Sequence, residues 1–408
     1  MTVTYRESRI LVQASELRPG DIDLLNKILH EAGLGQPLRH PEAGGSGLAV
    51  LPLIGADPMA VRDAVRAAAR KSGGELPSLI PDYQYGAGTV ETGARHSELS
   101  ASGKKSGHGT IAWLPAPAYE MPASPPWRDL PGQPVIALLD SGVRRHDWLP
   151  GGGGAPFVLD AEDYGWRAPI PDDDAAPTGP SGENYGSHWG HATFIAGLIR
   201  RAAPGAQVLS MRVMNSSGKV SEADAAGALN WLADHPKAAG GIDIDIVLMA
   251  FGRQADPTDP DLNNLRAPIG RLSQRGVRIV ASAGNDGAEL PVYPAAFAVE
   301  PKPAAGPKLS VVSVGALATP TERAPYSNSG PWVTEWGNGT NIISIMPLTT
   351  TSAGEERQAP RSGSGPAPDP GDGYAWWNGT SFAAATAAGM LAAQVPTGQA
   401  LPEPATGP

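Results

Sequence analysis

Short apolar runs and helical patterns alternate over the first 85 residues. Apolar runs predict strands at residues 10–13, 37–40, 48–54 and 79–85. Apolar side chains recur every three or four residues over 22–29 and again over 61–68, where Asp57-Pro58 supplies an N-cap and first-turn pair. The resulting order, βαββαβ, is typical of a small ferredoxin-like α+β module.

Longer apolar runs dominate the rest of the chain, and each is typical of a strand buried on both faces. They occupy residues 134–139, 208–214, 242–251, 277–283 and 309–314. Helical patterns fill the first gaps between them, at 191–201, 221–234 and 261–274, and Ser221 with Asp224 forms a capping box at the start of the second. Strands that alternate with helices predict an α/β domain with a doubly wound, mainly parallel sheet.

Other stretches lack periodicity and are rich in Gly, Pro and Ser. Residues 150–187 and 349–373 are predicted to be surface loops within the large domain. The chain is therefore divided into a small module, a linker, a large domain and a tail. The predicted boundaries are 1–88, 89–132, 133–394 and 395–408.

Composition and charge exclude several classes of function. Asp and Glu outnumber Lys and Arg by 41 to 31, which gives a net charge of −10, so nucleic acid is not an expected partner. The chain has no cysteine, which excludes disulfides, thiol catalysis and Cys-ligated zinc. It has neither a secretory signal pattern at its start nor an apolar run long enough to span a bilayer, so we expect a cytoplasmic protein without a membrane partner.

Four polar residues lie where catalytic groups are commonly found. Asp140 ends an apolar strand and Asn285 follows another, and sites in such sheets form beyond the carboxyl ends of strands. His191 begins a helical pattern, and Ser381 begins an alanine-rich one, where unpaired N–H groups stabilise developing negative charge. Taken singly, each residue could instead be a helix cap, a turn residue or a solvated side chain.

The motifs that contain these residues occur together and in a recognisable order. They are Asp140-Ser141-Gly142, the segment 190–197 that begins Gly-His-Ala-Thr, the segment 281–287 with sequence Ala-Ser-Ala-Gly-Asn-Asp-Gly, and Gly379-Thr380-Ser381. In this order they resemble the subtilisin-like serine proteases, the subtilases of peptidase family S8. The resemblance covers residues 134–394, and the N-terminal module is similar in pattern to the inhibitory prodomains of that family.

The resemblance implies a role for each matched residue. Ser381 is the nucleophile, His191 the general base and then acid, Asp140 the carboxylate that orients the histidine, and Asn285 a donor to the oxyanion. It also implies that Ala250, Phe251 and Gly252 pair with an extended peptide substrate, and that Gly284 lines the pocket for the residue before the cleaved bond. These last assignments compete with the interpretation that Met249 and Phe251 are core residues.

Some residues depart from the family pattern. Ala192 and Ala385 replace a glycine and a proline that are usual there, and Phe194 stands where a second histidine is frequent. Asp147, Asp160 and Asp163 are alternative carboxylates, but none of them ends an apolar strand. Gly107-His108-Gly109-Thr110 has the form of a catalytic histidine motif, yet it lies in low-complexity sequence, and we interpret His108 as a linker residue.

The hypothesis from the sequence is a serine endopeptidase made as a zymogen. In it residues 79–85 of the N-terminal module occupy the substrate cleft, and the chain cuts itself within 85–130. No cofactor is expected. The triplet Asp172-Asp173-Asp174 could bind structural calcium but lacks the alternating spacing of a calcium loop. Two alternatives stay open: a peptide ligase or macrocyclase of the same fold, and a catalytically silent binding protein. The endopeptidase and the ligase would both take a peptide or protein substrate as their partner.

Overall fold

Two sheets organise the chain in the computed structural model. The model describes residues 5–41, 48–72, 76–86, 112–113, 132–151, 156–170, 188–236, 242–300, 308–350, 356–358 and 373–395. The helices are α1 (Asp21–Glu31), α2 (Pro58–Ser72), α3 (His191–Ala202), α4 (Glu222–Asp234), α5 (Asn263–Gln274) and α6 (Thr380–Ala393). The first strands are β1 (Tyr5–Gln13), β2 (Leu48–Pro52), β3 (Ile80–Gly86), β4 (Ala112–Trp113), β5 (Val135–Asp140), β6 (Val158–Asp160), β7 (Gln207–Arg212), β8 (Lys219–Ser221) and β9 (Ile246–Met249). The remaining strands are β10 (Arg253–Gln254), β11 (Arg278–Ser282), β12 (Val292–Tyr293), β13 (Val311–Thr319), β14 (Glu322–Arg323), β15 (Glu335–Asn338), β16 (Ile342–Ile345), β17 (Leu348–Thr350), β18 (Glu356–Gln358) and β19 (Tyr374–Trp377).

The large sheet has eight strands and is mainly parallel, as the sequence predicts. Its order is β14-β13-β11-β9-β5-β7-β6, with β15 also paired to β13. Every residue of β5 is buried, because helices cover both faces. Ile136 and Leu138 pack in the cluster that includes α3 and α6, whereas Ala137 and Leu139 pack in the cluster that includes α4 and α5. The period-2 alternation of one strand thus supplies both layers of the core.

The N-terminal module has the predicted helices and an antiparallel sheet, but one predicted strand is wrong. Residues 37–40 form only an isolated bridge, Leu38 to Leu53, instead of a strand. The Asn26 side chain accepts a hydrogen bond from the Leu38 N–H at 2.9 Å and donates one to the Leu38 carbonyl at 3.0 Å. The Arg39 N–H donates to the Pro52 carbonyl at 3.1 Å and the Ile54 N–H donates to the Pro37 carbonyl at 3.0 Å. Pro37 and Pro52 have no N–H to return either bond, so the ladder stops at these pairs.

The module is joined to the large domain through its sheet. The order of this sheet is β2-β1-β3-β8, so the last strand of the module pairs with a strand of the large domain. Tyr85 is opposite Val220 in that antiparallel pair. On its other side β3 meets Gly252, since Gly86 N–H donates to the Gly252 carbonyl at 3.1 Å and Gly252 N–H donates to the Gly86 carbonyl at 3.0 Å. The end of β3 therefore lies between β8 and Gly252, as the middle strand in a groove of the large domain.

Two segments predicted to be surface loops contain regular structure. Within 150–187, β6 pairs in parallel with β7 and forms the edge of the large sheet. Within 349–373, β18 pairs with β17 as an antiparallel hairpin. The strands are too short, at three residues each, for periodicity to reveal them beside long runs of Gly, Ser and Pro. His108 and Asp172 to Asp174 lie outside the described residues.

The predicted linker carries one short strand among its described residues. In β4, Trp113 is paired with Ala375 and Ala112 with Trp376 of β19, in antiparallel orientation. Because β19 leads directly into α6, the linker is attached next to the segment that contains Ser381. Among the described helices, none combines the length and the apolar character that crossing a bilayer requires.

Candidate active site

A carboxylate and an imidazole meet at the carboxyl end of β5. Asp140 is the last residue of that strand and His191 the first residue of α3. His191 Nδ1 lies 2.9 Å from both Oδ1 and Oδ2 of Asp140, and the two side chains are buried. The Ser141 N–H also donates to Asp140 Oδ1 at 2.7 Å. A carboxylate beside Nδ1 favours the tautomer with its proton on Nδ1, which leaves Nε2 able to accept a proton.

Aromatic side chains hold the His191 ring in place. The ring centroids of His188 and Trp377 each lie 5.3 Å from that of His191, and the Phe382 centroid lies 5.6 Å away. Phe194, where the family often has histidine, packs on Phe382 at 4.6 Å and on Trp377 at 5.6 Å. Phe194 thus belongs to the apolar support of the imidazole and not to its chemistry.

Ser381 lies in the first turn of α6, as the sequence predicts. The helix begins at Thr380, and Ser381 Oγ donates a hydrogen bond to the Ala250 carbonyl at 3.2 Å. The next residue, Phe382, touches the His191 ring, so the hydroxyl and the imidazole belong to the same end of the sheet. Small residues allow this helix to pack closely, since a Cβ atom at Gly389 would lie 2.6 Å from Ala202 of α3.

The side-chain amide of Asn285 is tied to the start of the same helix. Its Oδ1 accepts from the Thr380 N–H at 2.9 Å and from Thr380 Oγ1 at 2.8 Å. Thr380 Oγ1 in turn accepts from the Gly284 N–H at 3.1 Å. Since a backbone N–H needs an acceptor, the amide orientation is fixed, with Oδ1 toward the helix and Nδ2 directed away from it.

Sequence reasoning missed the residue that braces this loop, Asn328. Its side chain is fully buried, accepts from the N–H groups of Asp286 and Ala288, and donates to the Ala283 carbonyl at 2.9 Å. Gly284 has a φ of +95°, and a Cβ atom there would lie 2.4 Å from Asn328 Nδ2. An asparagine within a Ser-Asn-Ser-Gly stretch is typical of a turn, so nothing in the sequence indicated that it closes a loop 40 residues away.

The predicted substrate-binding residues divide into backbone and core contributions. Ala250 and Gly252 present backbone groups, to Ser381 Oγ and to Gly86 respectively. The side chains of Met249 and Phe251 are buried in the core, and the Phe251 ring also meets that of Tyr85, with the centroids 6.0 Å apart. At Gly252 a Cβ atom would lie 2.4 Å from the Val292 side chain. The close approach of this segment to β12 therefore requires a residue without a side chain.

Charged residues beside the groove also escaped the sequence analysis. Glu222 and Arg253 are almost completely buried, and burial raises the pKa of the Glu222 carboxyl to about 7, while Arg253, Asn264 and Tyr85 oppose that shift. Glu222 is the first residue of α4. Acidic residues are common at helix N-termini because they interact favourably with the helix dipole, so nothing in the sequence singled out Glu222. Within the described ranges, no cluster of His, Asp or Glu has an arrangement that could hold a metal ion.

The fold and this site together define a class: doubly wound α/β proteins that bring an aspartate, a histidine and a helix-start serine to one end of a parallel sheet. The model of the Subtilase family, peptidase S8, matches residues 132–397, and the chain therefore belongs to that family.

Curated relatives are similar to the chain in sequence, and a solved structure is similar to it in fold. The chain is 26% identical over 275 residues to M-protease of Shouchella clausii (strain KSM-K16), covering 65% of this chain and 55% of the relative. It is also 26% identical to Subtilisin Savinase of Lederbergia lenta, over 65% of this chain and 77% of the relative. Fervidolysin from Fervidobacterium pennivorans, a keratinolytic enzyme related to subtilisin, is similar in fold with a TM-score of 0.52 at 17% identity, over 95% of this chain and 54% of that one. The chain thus spans little more than half the length of some of these proteins.

Proposed function

We propose that this protein is a serine endopeptidase in which Asp140, His191 and Ser381 act as a catalytic triad. The observation that carries the proposal is the distance of 2.9 Å from His191 Nδ1 to both carboxylate oxygens of Asp140. That contact holds the imidazole in the tautomer that a general base requires. Membership of the subtilase family supports the same reaction.

The proposed reaction begins with a rotation of the serine side chain. A hydroxyl has one proton, and that of Ser381 is donated to the Ala250 carbonyl in this state. For catalysis Oγ turns toward His191, gives its proton to Nε2 and bonds to the peptide carbonyl carbon. His191 then returns the proton to the leaving amine, and water attacks the acyl-enzyme by the same route in reverse.

The negative charge on the attacked oxygen needs donors in fixed positions. We assign this role to Asn285 Nδ2 and to the backbone N–H of Ser381 at the start of α6. Thr380 supports the assignment, because it holds Oδ1 of Asn285 and so orients the amide before substrate arrives. Donors that are already oriented stabilise the transition state without a reorganisation cost.

We further propose that the N-terminal module inhibits the enzyme of which it is part. Gln84, Tyr85 and Gly86 pair with β8, and Gly86 also pairs with Gly252, so β3 fills the groove that a substrate strand would use. His191 and Ser381 are only 1% and 2% exposed in the same state. Both observations favour a zymogen.

The pairing register suggests where such a zymogen would cut itself. Residues in an antiparallel pair advance in opposite directions, so a substrate strand with one residue paired to Gly252 would place the residue two positions later opposite Ala250. The carbonyl of Ala250 is the group that Ser381 Oγ contacts. We therefore propose that the bond after Gly88 is cleaved, within the predicted interval of 85–130.

Labelling with a fluorophosphonate tests the activity directly. After incubation, the wild-type chain should be labelled, Ser381→Ala should not, and Ser15→Ala, which changes an exposed serine of the module, should behave as the wild type. A wild-type chain that stays unlabelled, although mass spectrometry shows that the N-terminal module has been removed, would leave only the silent binding protein. Mass spectrometry of the peptide products separates hydrolysis from ligation.

Self-processing has its own measurement. The masses of the chain's fragments should correspond to residues 1–88 and to the remainder. Mixing Ser381→Ala with wild type distinguishes the two routes, since cleavage of the inactive chain can occur only between molecules. A wild-type chain that stays intact through long incubation would contradict the zymogen while leaving the peptidase proposal standing.

A further inference from the structure

The side chain of Tyr85 fills a closed pocket in the large domain. Tyr85 is completely buried although it belongs to the last strand of the N-terminal module. Its ring meets that of Phe251 edge to face, with the centroids 6.0 Å apart, and its backbone is opposite Val220. The walls of this pocket therefore come from β8 and from the segment that precedes β10, both of which belong to the large domain.

The floor of the pocket is polar and charged. Tyr85 donates its hydroxyl proton to Glu222 Oε2 at 3.1 Å, and Arg253 Nε donates to the same hydroxyl oxygen at 3.4 Å. Arg253 Nη2 also lies 3.5 Å from Glu222 Oε2, and the Asn264 side chain donates to Glu222 Oε1 at 2.9 Å. Glu222 and Arg253 are 0% and 6% exposed, so they contact each other as an ion pair and hydrogen-bond to the phenol and to Asn264 rather than to water, while Arg253 Nη2 makes no hydrogen bond with any residue that the structure describes.

The chemistry of this floor suits a phenol in particular. Burial, and then the Glu222 carboxylate, hold the pKa of Tyr85 well above its usual value, so the hydroxyl keeps its proton and remains a donor. Glu222 Oε2 accepts that proton while Arg253 donates to the oxygen that bears it. Phenylalanine would fill the same space but would leave the buried carboxylate oxygen without its hydroxyl donor, which is unfavourable for a charged group.

The position of the pocket along the groove connects it to catalysis. Tyr85 directly precedes Gly86, the residue paired with Gly252, and is the fourth residue before the bond that we propose is cleaved, after Gly88. A substrate strand that adopts the same register presents its fourth residue before the cleaved bond to this pocket. Glu222, Arg253 and Asn264 all belong to the large domain, so the pocket stays with the enzyme when the module leaves.

From this geometry we propose that Glu222 and Arg253 form a specificity subsite that selects a tyrosine side chain four residues before the cleaved bond. The substrate class is thus peptides that present a phenol at this position. The inference rests on the proposed peptidase function and adds a preference that follows from the buried carboxylate and guanidinium. Tyr85 acts, in this view, as the built-in occupant of the subsite.

A series of peptide p-nitroanilides tests the subsite with the full chain. Tyr-Gly-Ala-Gly-p-nitroanilide copies residues 85–88, and the matched peptides carry Phe or Leu in place of Tyr. A site built around a hydroxyl discriminates against analogues that lack it, so we expect kcat/KM for the Tyr peptide to exceed that for the Phe peptide by about 10- to 100-fold. The ratio is the readout, which cancels differences in the amount of active enzyme.

Substitutions at Glu222, in the floor of the pocket, should change the preference of the enzyme among the Tyr, Phe and Leu peptides. In Glu222→Leu the carboxylate that accepts from the phenol is gone while Arg253 and Asn264 remain, so the ratio of kcat/KM for the Tyr peptide to that for the Phe peptide should fall toward one. Glu222→Gln is the second variant should the first fail to fold, and it should reduce the ratio while keeping the shape of the pocket. Asp234→Leu, at the exposed C-terminal end of the same helix, should retain the wild-type ratio.

The outcomes separate the two proposals. A chain that reacts with fluorophosphonate and cleaves the three peptides at equal kcat/KM overturns the subsite and leaves the peptidase function intact. A preference for Tyr that survives Glu222→Leu also overturns the assignment of Glu222. A chain that neither reacts with the probe nor cleaves any peptide overturns both proposals.

Discussion

The buried carboxylate of Asp82 should make the contact between the N-terminal module and the large domain sensitive to pH. Asp82 lies on β3, is completely buried, and accepts at Oδ1 from the Ala223 N–H in the first turn of α4, at 3.2 Å. Oδ2 makes no hydrogen bond, and Arg6 Nε lies 3.9 Å from it. Burial raises the pKa of Asp82 to about 6, the Ala223 N–H opposes that shift, Asp224 adds to it, and Arg6 and Arg9 lower it.

The sign and size of the effect follow from this pKa. A carboxyl whose pKa rises from 3.8 to about 6 on folding binds its proton more tightly in the folded state. Its stabilising contribution is therefore complete below about pH 4 and is lost as the pH rises through 6, for a total of roughly 3 kcal/mol. Asp82→Asn is neutral at every pH and keeps an oxygen to accept from Ala223. The free energy of unfolding of the variant should therefore increase relative to that of the wild type as the pH rises.

Urea unfolding measures this difference. Both chains carry Ser381→Ala to prevent self-digestion, and reversibility is checked by refolding. The free energy of unfolding of Asp82→Asn minus that of the parent should rise by about 2 kcal/mol between pH 4 and 7.5. Asp63→Asn, at an exposed carboxylate of the same module, is the control. A difference that stays constant, or that falls with pH, would refute the assignment of a raised pKa to Asp82.

Two further predictions concern the residues that orient Asn285. Thr380→Val removes the hydroxyl between Asn285 and Gly284, so kcat should fall about 10-fold with little change in KM, as steady-state kinetics on a short peptide would show. Asn328→Ala leaves three backbone groups of residues 283–288 without their partner, and urea unfolding should show a loss of about 3 kcal/mol or more, whereas an unchanged midpoint would contradict that bracing role.

The sequence predicted the large sheet well because its strands are long, apolar and covered on both faces. The run that became β5 is buried at every position, and such runs interleaved with helical patterns leave few alternatives to a parallel sheet. The strand at 37–40 was wrong for a local reason. Pro37 and Pro52 leave each pair beside the Leu38–Leu53 bridge with a single backbone hydrogen bond, and no pattern in the sequence revealed that these two prolines would lie in adjacent segments.

Motif and strand position together indicated the candidate site. Asp140, His191, Asn285 and Ser381 could be selected because each follows a strand or begins a helix that periodicity can locate. Their catalytic roles remain proposals. Asn328, Glu222 and Arg253 could not be selected in this way, because their importance depends on contacts between distant segments. The predicted domain boundaries and the cytoplasmic location stay predictions, since neither the fold nor the site bears on them.

The narrow fit between Gly218 and His188 allows a test of how closely the His191 ring must be held. Gly218 has a φ of +77°, and a Cβ atom there would lie 2.4 Å from His188 Nδ1. His188 is 2% exposed and lies between Trp377, at 6.0 Å, and His191, at 5.3 Å. Gly218→Ala therefore has to displace His188, which packs against the imidazole that Asp140 holds.

A matched glycine separates this displacement from backbone strain. Gly276 has a similar φ of +83°, but a Cβ atom there would meet nothing within 4 Å. Both alanine substitutions should cost about 1 to 2 kcal/mol of stability for the left-handed conformation. Only Gly218→Ala should also lower kcat, by up to about 100-fold, because a displacement of the general base by a fraction of an ångström disturbs proton transfer. Equal activity of the two variants, measured on one peptide and corrected for folded protein, would mean that His188 does not position His191.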